Sequence, residues 1–385
     1  MRRHVARWYS RARARLRSAC WRAREAHSPR SCRPETSAQA NEHPSSASDK
    51  RRLISVLQTT TSDDLARSES KEDLLVLSDT TLGEGATATV MLGHFGNERE
   101  EVAIKVVSKP EMDEDDILQI REEIRLHKML SHEHIVRMID SWEKPFEFTI
   151  VLALCRGGSL FETIVAAYQA ETDLPEPKVR VAFVQLAAAL DYLHDRGIYH
   201  LDVNLRNLCW TDESESGVQL IDFGYATDAK MKNSFAGTAQ FAAPEVHEAS
   251  QGESSYECAP ADVWSAGVCL FTMLAMQVPF SGTDENEEQA YELQQKVCVG
   301  QWDVQPRCSP SALDLLRGML YMDAEERMTI KQVCNHYCIS AMKPMPLKQA
   351  AQEPSQHLSR GAGRSIRRRD AENEDIEACV GRMSY

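Results

Sequence analysis

Between about residues 74 and 340 the hydrophobic pattern changes period halfway along, and this limits the chain to few architectures. The segments Leu74–Leu82, Thr87–Phe95, Val102–Val107, Ile135–Trp142 and Phe148–Ala153 are short and alternate or run apolar like strands, while Glu114–Leu130 repeats every three to four residues behind an acidic start. Beyond Gly158 the apolar period becomes helical in Pro177–Arg196, Ala261–Met276, Glu288–Val299 and Ser309–Tyr321. A strand-rich half with one helix followed by a mainly helical half predicts an α+β fold of two lobes, with a cleft between them as the natural ligand site.

The flanks read differently. Residues 1–52 hold 14 Lys+Arg against 4 Asp+Glu, so the net charge of -14 conceals an N-terminal arm of +10 and a remainder of -24. A body that acidic argues against a general nucleic-acid partner. In the arm, Val5, Trp8, Tyr9, Ala12, Leu16, Ala19 and Cys20 recur at helical spacing between arginines. Two readings stay open: a basic amphipathic segment suited to an anionic membrane or a mitochondrial presequence, or a solvated arm on a cytoplasmic protein, which is the default. Residues 1–73 and 341–385 are too polar to bury much and are expected to be disordered extensions. The folded unit is then 74–340, with a small lobe at 74–154 and a large lobe at 155–340. The chain has no run of about 18 consecutive apolar residues, which argues against a membrane-spanning helix, and its 11 cysteines lack metal-ligand spacing and read as reduced thiols.

Several residues carry chemistry. Gly83 and Gly85 lie in a turn between two strands, where backbone N–H groups approach phosphate oxygens unobstructed, although two such glycines also serve as ordinary turn residues. Lys105 ends the apolar run Val102-Ala103-Ile104, and a lysine in such a strand either snorkels outward or is paired. Glu123 on the following helix is its natural partner, unless Glu122 and Glu123 are surface acids. The inward side of that helix is marked by Ile117, Ile120, Ile124 and Met129. Further on, His200-Leu201-Asp202-Val203-Asn204-Leu205-Arg206-Asn207 and Asp222-Phe223-Gly224 bring carboxylate and amide oxygens to loop and strand ends, a donor set suited to Mg²⁺.

The glycine turn, Val-Ala-Ile-Lys, the helix glutamate, His-x-Asp-x4-Asn, Asp-Phe-Gly and Ala243-Pro244-Glu245 occur in the order and approximate spacing of the eukaryotic-type protein kinases. The chain resembles that family across its whole folded part, through Asp262-Val263-Trp264 to Arg327. The segment Gly237-Thr238-Ala239-Gln240-Phe241-Ala242-Ala243-Pro244-Glu245 resembles the serine/threonine branch.

The resemblance implies a bilobal kinase fold, ATP and Mg²⁺ as cofactors, and protein Ser/Thr hydroxyls as acceptors. It implies that Lys105 holds the α- and β-phosphates and pairs with Glu123, that Asn207 and Asp222 ligate Mg²⁺, and that Asp202 accepts the substrate proton with Thr238 beside it. Leu82, Val90 and Ala103 would sandwich adenine, and the backbone of Ala153 and Cys155 would meet its edge after Leu152. Glu245 would pair with Arg327, and Asp262 would brace the catalytic loop.

The sequence also departs from the family. Ala88 replaces the third glycine, and Leu201 replaces the arginine that commonly receives an activation-loop phosphate. His127 stands where an apolar residue usually packs toward Phe223. Asn204 replaces the lysine two residues after the catalytic acid, and losing such a cation costs about 10²–10³ in rate. Against this, Lys105, Glu123, Asp202, Asn207 and Asp222 are all retained, so an active kinase is expected, and with Leu201 uncharged its rate should depend little on activation-loop phosphorylation; a nucleotide-binding pseudokinase or a signalling scaffold are the alternatives.

Overall fold

The computed structural model describes residues 74–342 except 86–87, 111, 250–253, 283–286 and 307. The two expected extensions thus fall outside the described residues, apart from the last turn of the final helix. The small lobe is built on β1 (Leu75–Glu84), β2 (Ala88–Phe95), β3 (Glu100–Ser108), α1 (Glu114–His127), β4 (Met138–Glu143) and β5 (Glu147–Ala153). Its strands form one antiparallel sheet in the order β1-β2-β3-β5-β4. Val102, Ile104 and Val151 pack as its buried core, the alternate positions of β3 meeting the centre of β5. Gly93 in β2 is required there, because a Cβ would strike Ile104 and the carbonyl oxygen of Val76.

α1 begins in a capping box: the Asp113 carboxylate accepts from the Asp116 N–H, and the Asp116 side chain accepts from the Asp113 N–H. The acids Glu114, Asp115 and Asp116 favour the positive end of the helix dipole. It ends at His127, three residues before the expected Leu130, because the N–H groups of Met129 and Leu130 turn back to the carbonyls of Leu126 and His127. Met129, expected inside, consequently faces outward. β4 likewise begins at Met138 rather than Ile135. Ile135 and Val136 are diverted to the large lobe, where the Val136 N–H donates to Leu220 O at 3.0 Å.

The large lobe continues with α2 (Leu160–Gln169), α3 (Glu176–His194), β6 (Leu208–Trp210), β7 (Val218–Leu220), β8 (Met231–Lys232), a 3₁₀ turn at Ala239–Phe241, α4 (Pro244–Ala249) and β9 (Tyr256–Glu257). It closes with α5 (Cys258–Ala275), α6 (Glu287–Val299), α7 (Pro310–Met319), α8 (Ile330–Asn335) and α9 (Tyr337–Met342). α3 and α5 are the centre of its core, with Phe183, Leu190, Trp264 and Phe271 fully buried. By length and composition α5 is apolar enough to cross a membrane, which corrects the exclusion based on uninterrupted apolar runs. However, 78% of it is buried inside the lobe, and it carries the inward-facing Asp262. Its apolarity is that of a helix surrounded by protein.

Candidate active site

Lys105 is inside β3, opposite Val90 on β2 and Ile150 on β5. It lies 2.7 Å from Glu123 Oε1 on α1 and 2.9 Å from Asp222 Oδ1. Burial opposes its charge, but Asp222 and then Glu123 outweigh that cost and hold the lysine above its usual range. Burial pushes the Glu123 carboxyl upward despite Lys105, whereas the Lys105 ammonium holds Asp222 below the usual carboxylate range. The second Glu123 oxygen is buried without a hydrogen-bond partner.

Asp222 and Leu201 both have left-handed backbones, with φ of 58° and 61°. For a branched leucine that is a strained conformation. It is held by Asp262, whose carboxylate accepts from the N–H of Leu201 at 2.7 Å and of His200 at 2.9 Å, and meets His194 Nε2 at 2.9 Å. The resulting turn exposes the Leu201 carbonyl to Gly237, where φ is 87° and a Cβ would come within 2.2 Å of that oxygen. Only glycine fits, and the next residue, Thr238, is thereby delivered to Asp202.

Asp202 is the convergence point. Its Oδ1 accepts from Thr238 Oγ1 at 2.7 Å and Asn204 Nδ2 at 3.0 Å, and its Oδ2 accepts from Asn207 Nδ2 at 2.9 Å. Burial raises its pKa, while the Thr238 hydrogen bond pulls it back down. Asn204 is not a shortened lysine: it is buried, donates to Asp202 and Thr238, and accepts from the N–H groups of Arg206 and Asn207, closing the loop as an Asx turn. Arg206 lies over the Phe161 ring at 4.1 Å, on α2.

The residues expected beside adenine lie on β1, β2, β3 and β5 and just after β5. Leu92 and Leu152 face Ala103 across β2 and β5, and Val90 is half-buried on β2. Leu82 is 47% exposed, so core packing does not explain it. The Ala153 N–H is taken by Arg137 O, while among the described residues Cys155 makes no backbone hydrogen bond and its thiol contacts Gln219. The Gly85 N–H bonds Ala88 O, and a Cβ on Gly83 would meet nothing within 4 Å. In the large lobe, Arg327 forks onto Glu245 at 2.6 and 3.0 Å.

The family model described as protein kinase domain matches residues 77–339. The chain belongs to the protein kinase family, on its serine/threonine branch. Maternal embryonic leucine zipper kinase of Danio rerio is 33% identical over 283 residues, 72% of this chain and 40% of that protein. The protein of the same name from Xenopus laevis is 33% identical over 261 residues, 66% of this chain and 38% of that one. The kinase therefore spans about two fifths of the length of these curated relatives.

The sequence did not reveal which residues link α1 of the kinase to the segment after Asp222. Gln119 Nε2 donates to Gly224 O at 2.6 Å, and Arg125 Nη2 lies 2.6 Å from Asp228 Oδ2. The His127 ring sits 4.4 Å from that of Phe223, which in turn is 4.9 Å from His200. Only His127 gave a signal, as a polar residue at an apolar position.

Proposed function

We propose that the kinase transfers the γ-phosphoryl group of ATP to Ser or Thr hydroxyls of proteins, with Asp202 as the base. The observation that supports this most is the catalytic carboxylate held by three side-chain donors in the same structure in which the Lys105 pairs to Glu123 and Asp222 are formed. Asp202 would orient the acceptor hydroxyl and take its proton as the oxygen bonds to phosphorus and ADP leaves.

The donor set suits Mg-ATP. Asp222 brings a carboxylate held ionised by Lys105, and the Asn207 amide keeps its nitrogen on Asp202, leaving its oxygen for a cation. One carboxylate and one amide oxygen beside phosphate oxygens are a common Mg²⁺ arrangement. Bound Mg-ATP supplies the phosphoryl group and the metal charge that offsets its oxygens. Lys105 would hold the α- and β-phosphates, the N–H groups near Gly83 and Gly85 would cover them, and Leu82, Val90 and Ala103 would enclose the base. The Ala153 and Cys155 backbone would meet its edge.

One observation favours a second reading, a nucleotide-binding pseudokinase: Asn204 offers an amide where an ammonium would neutralise the transferring group. The deciding experiment incubates the purified chain with Mg-ATP and generic protein substrates. Phosphate on Ser/Thr is expected, reduced at least about 10²-fold by Asp202→Asn and by Lys105→Met. Absence of transfer with stabilisation by ATP would leave the pseudokinase, and absence of both a scaffold.

A further inference from the structure

At Leu201 the loop that carries Asp202 offers no cation to the segment that follows Asp222. Leu201 is apolar and buried, and Lys230, on the segment itself, pairs with Glu257 at 3.1 Å. The segment is nevertheless tied to α1. The Gln119 amide reaches Gly224 O, and the Arg125 guanidinium reaches Asp228 while its Nε and Nη2 also hold the Glu122 carboxylate. Glu122 and Asp228 thus share one oriented cation. Along the helix, Gln119, Glu123 and His127 follow at four-residue spacing and meet Gly224, Lys105 and Phe223 in turn, so one face of α1 is matched to the segment at both ends and to β3 between them. Arg125 adds a charged contact beside that face, near the end of the helix.

We propose that Asp228 is a positioning residue. Its carboxylate clips the activation segment to Arg125 and keeps α1 where Glu123 meets Lys105, so the unmodified chain carries the anion that this junction needs. A charge-assisted contact to a pre-oriented guanidinium is directional, and what it biases is the position of one helix. Both groups are about half exposed, so the clip contributes little to global stability and is screened by salt.

The test compares wild type with Asp228→Asn, Arg125→Gln, the double variant and Asp228→Glu. The readouts are kcat, KM for ATP, and hydrogen exchange of amides 114–127. Asp228→Asn is expected to lower kcat about three- to tenfold and to speed exchange in α1 by a similar factor. Arg125→Gln should match it, the double variant should be no worse than either single one, and Asp228→Glu should restore both readouts. Phosphatase treatment of the wild type should change kcat less than about threefold. Wild-type kcat and exchange in Asp228→Asn, or additive losses in the double variant, would overturn the clip. The kinetic arm rests on the proposed phosphoryl transfer: if the wild type transfers nothing, that proposal fails, and exchange in α1 alone decides the clip.

Discussion

Asp202 sits between two opposing effects, burial that raises its pKa and the Thr238 hydroxyl that lowers it. Thr238→Ala removes the donor and leaves the burial. The carboxyl should then be protonated over more of the pH range, and since only the ionised form can accept a proton, the acid limb of kcat/KM should move to higher pH. A hydrogen bond to a charged group is worth enough to shift the limb by about 1 pH unit. Thr238→Ser, which keeps the hydroxyl, should leave it in place, and an unmoved limb in the alanine variant would remove Thr238 from the role given to it. At this scale the sequence was legible wherever chemistry recurs at fixed spacing, as at Lys105, Asp202 and Asp222. It was silent on Gln119 and Asp228, whose partners lie 105 and 103 positions away and carry no motif. It also left Asn204 as a missing cation, because only the fold shows that its oxygen caps two N–H groups.

Helix α1 shows how an element answers to its surroundings. Its start was readable from its leading acids, but its inward side was misplaced at Met129, since the chain leaves the helix at His127. That histidine is buried against Phe223, with Nε2 2.7 Å from Val136 O, and burial depresses its pKa to about 4. In the unfolded chain the ordinary value is about 6.5. Between those values the unfolded state binds the proton and the folded state does not, so stability present above about pH 6.5 is lost as pH falls toward 4. The span corresponds to roughly 3 kcal/mol at most. His247, which burial also lowers to about 4, adds loss in the same direction. His127→Leu should therefore flatten the pH dependence of urea unfolding between pH 6.5 and 4.5, leaving the part due to His247 and to His132 and His134, which burial also lowers. An unchanged slope would show that His127 titrates normally in the folded protein.

Across the whole molecule, the two lobes were legible because the apolar period changes once, near Gly158. The short elements β6, α4, α8 and α9 were not, since three to six residues are too few to show a period. The ion pairs that hold the large lobe together differ from those at its rim, and burial decides which matter. Arg327 is fully buried, binds Glu245 with both Nη atoms, donates to Tyr321 O and Pro260 O, and lies 5.0 Å from the centre of the Trp264 ring. One side chain thus joins α4, α5 and the turn after α7. Arg327→Leu would leave the Glu245 carboxylate and the carbonyls of Tyr321, Pro260 and Met322 without their cation, a change that typically costs about 3–5 kcal/mol. For a domain of this size the melting temperature should fall by roughly 10 °C. Arg156 and Glu101 make an equally short contact, 2.6 Å, between the lobes, but both are exposed, and water and salt replace the pair when it is broken. Arg156→Ala should therefore melt within about a degree of wild type. Equal losses from the two variants in one thermal series would show that the lobe junction, rather than the Glu245 pair, limits unfolding.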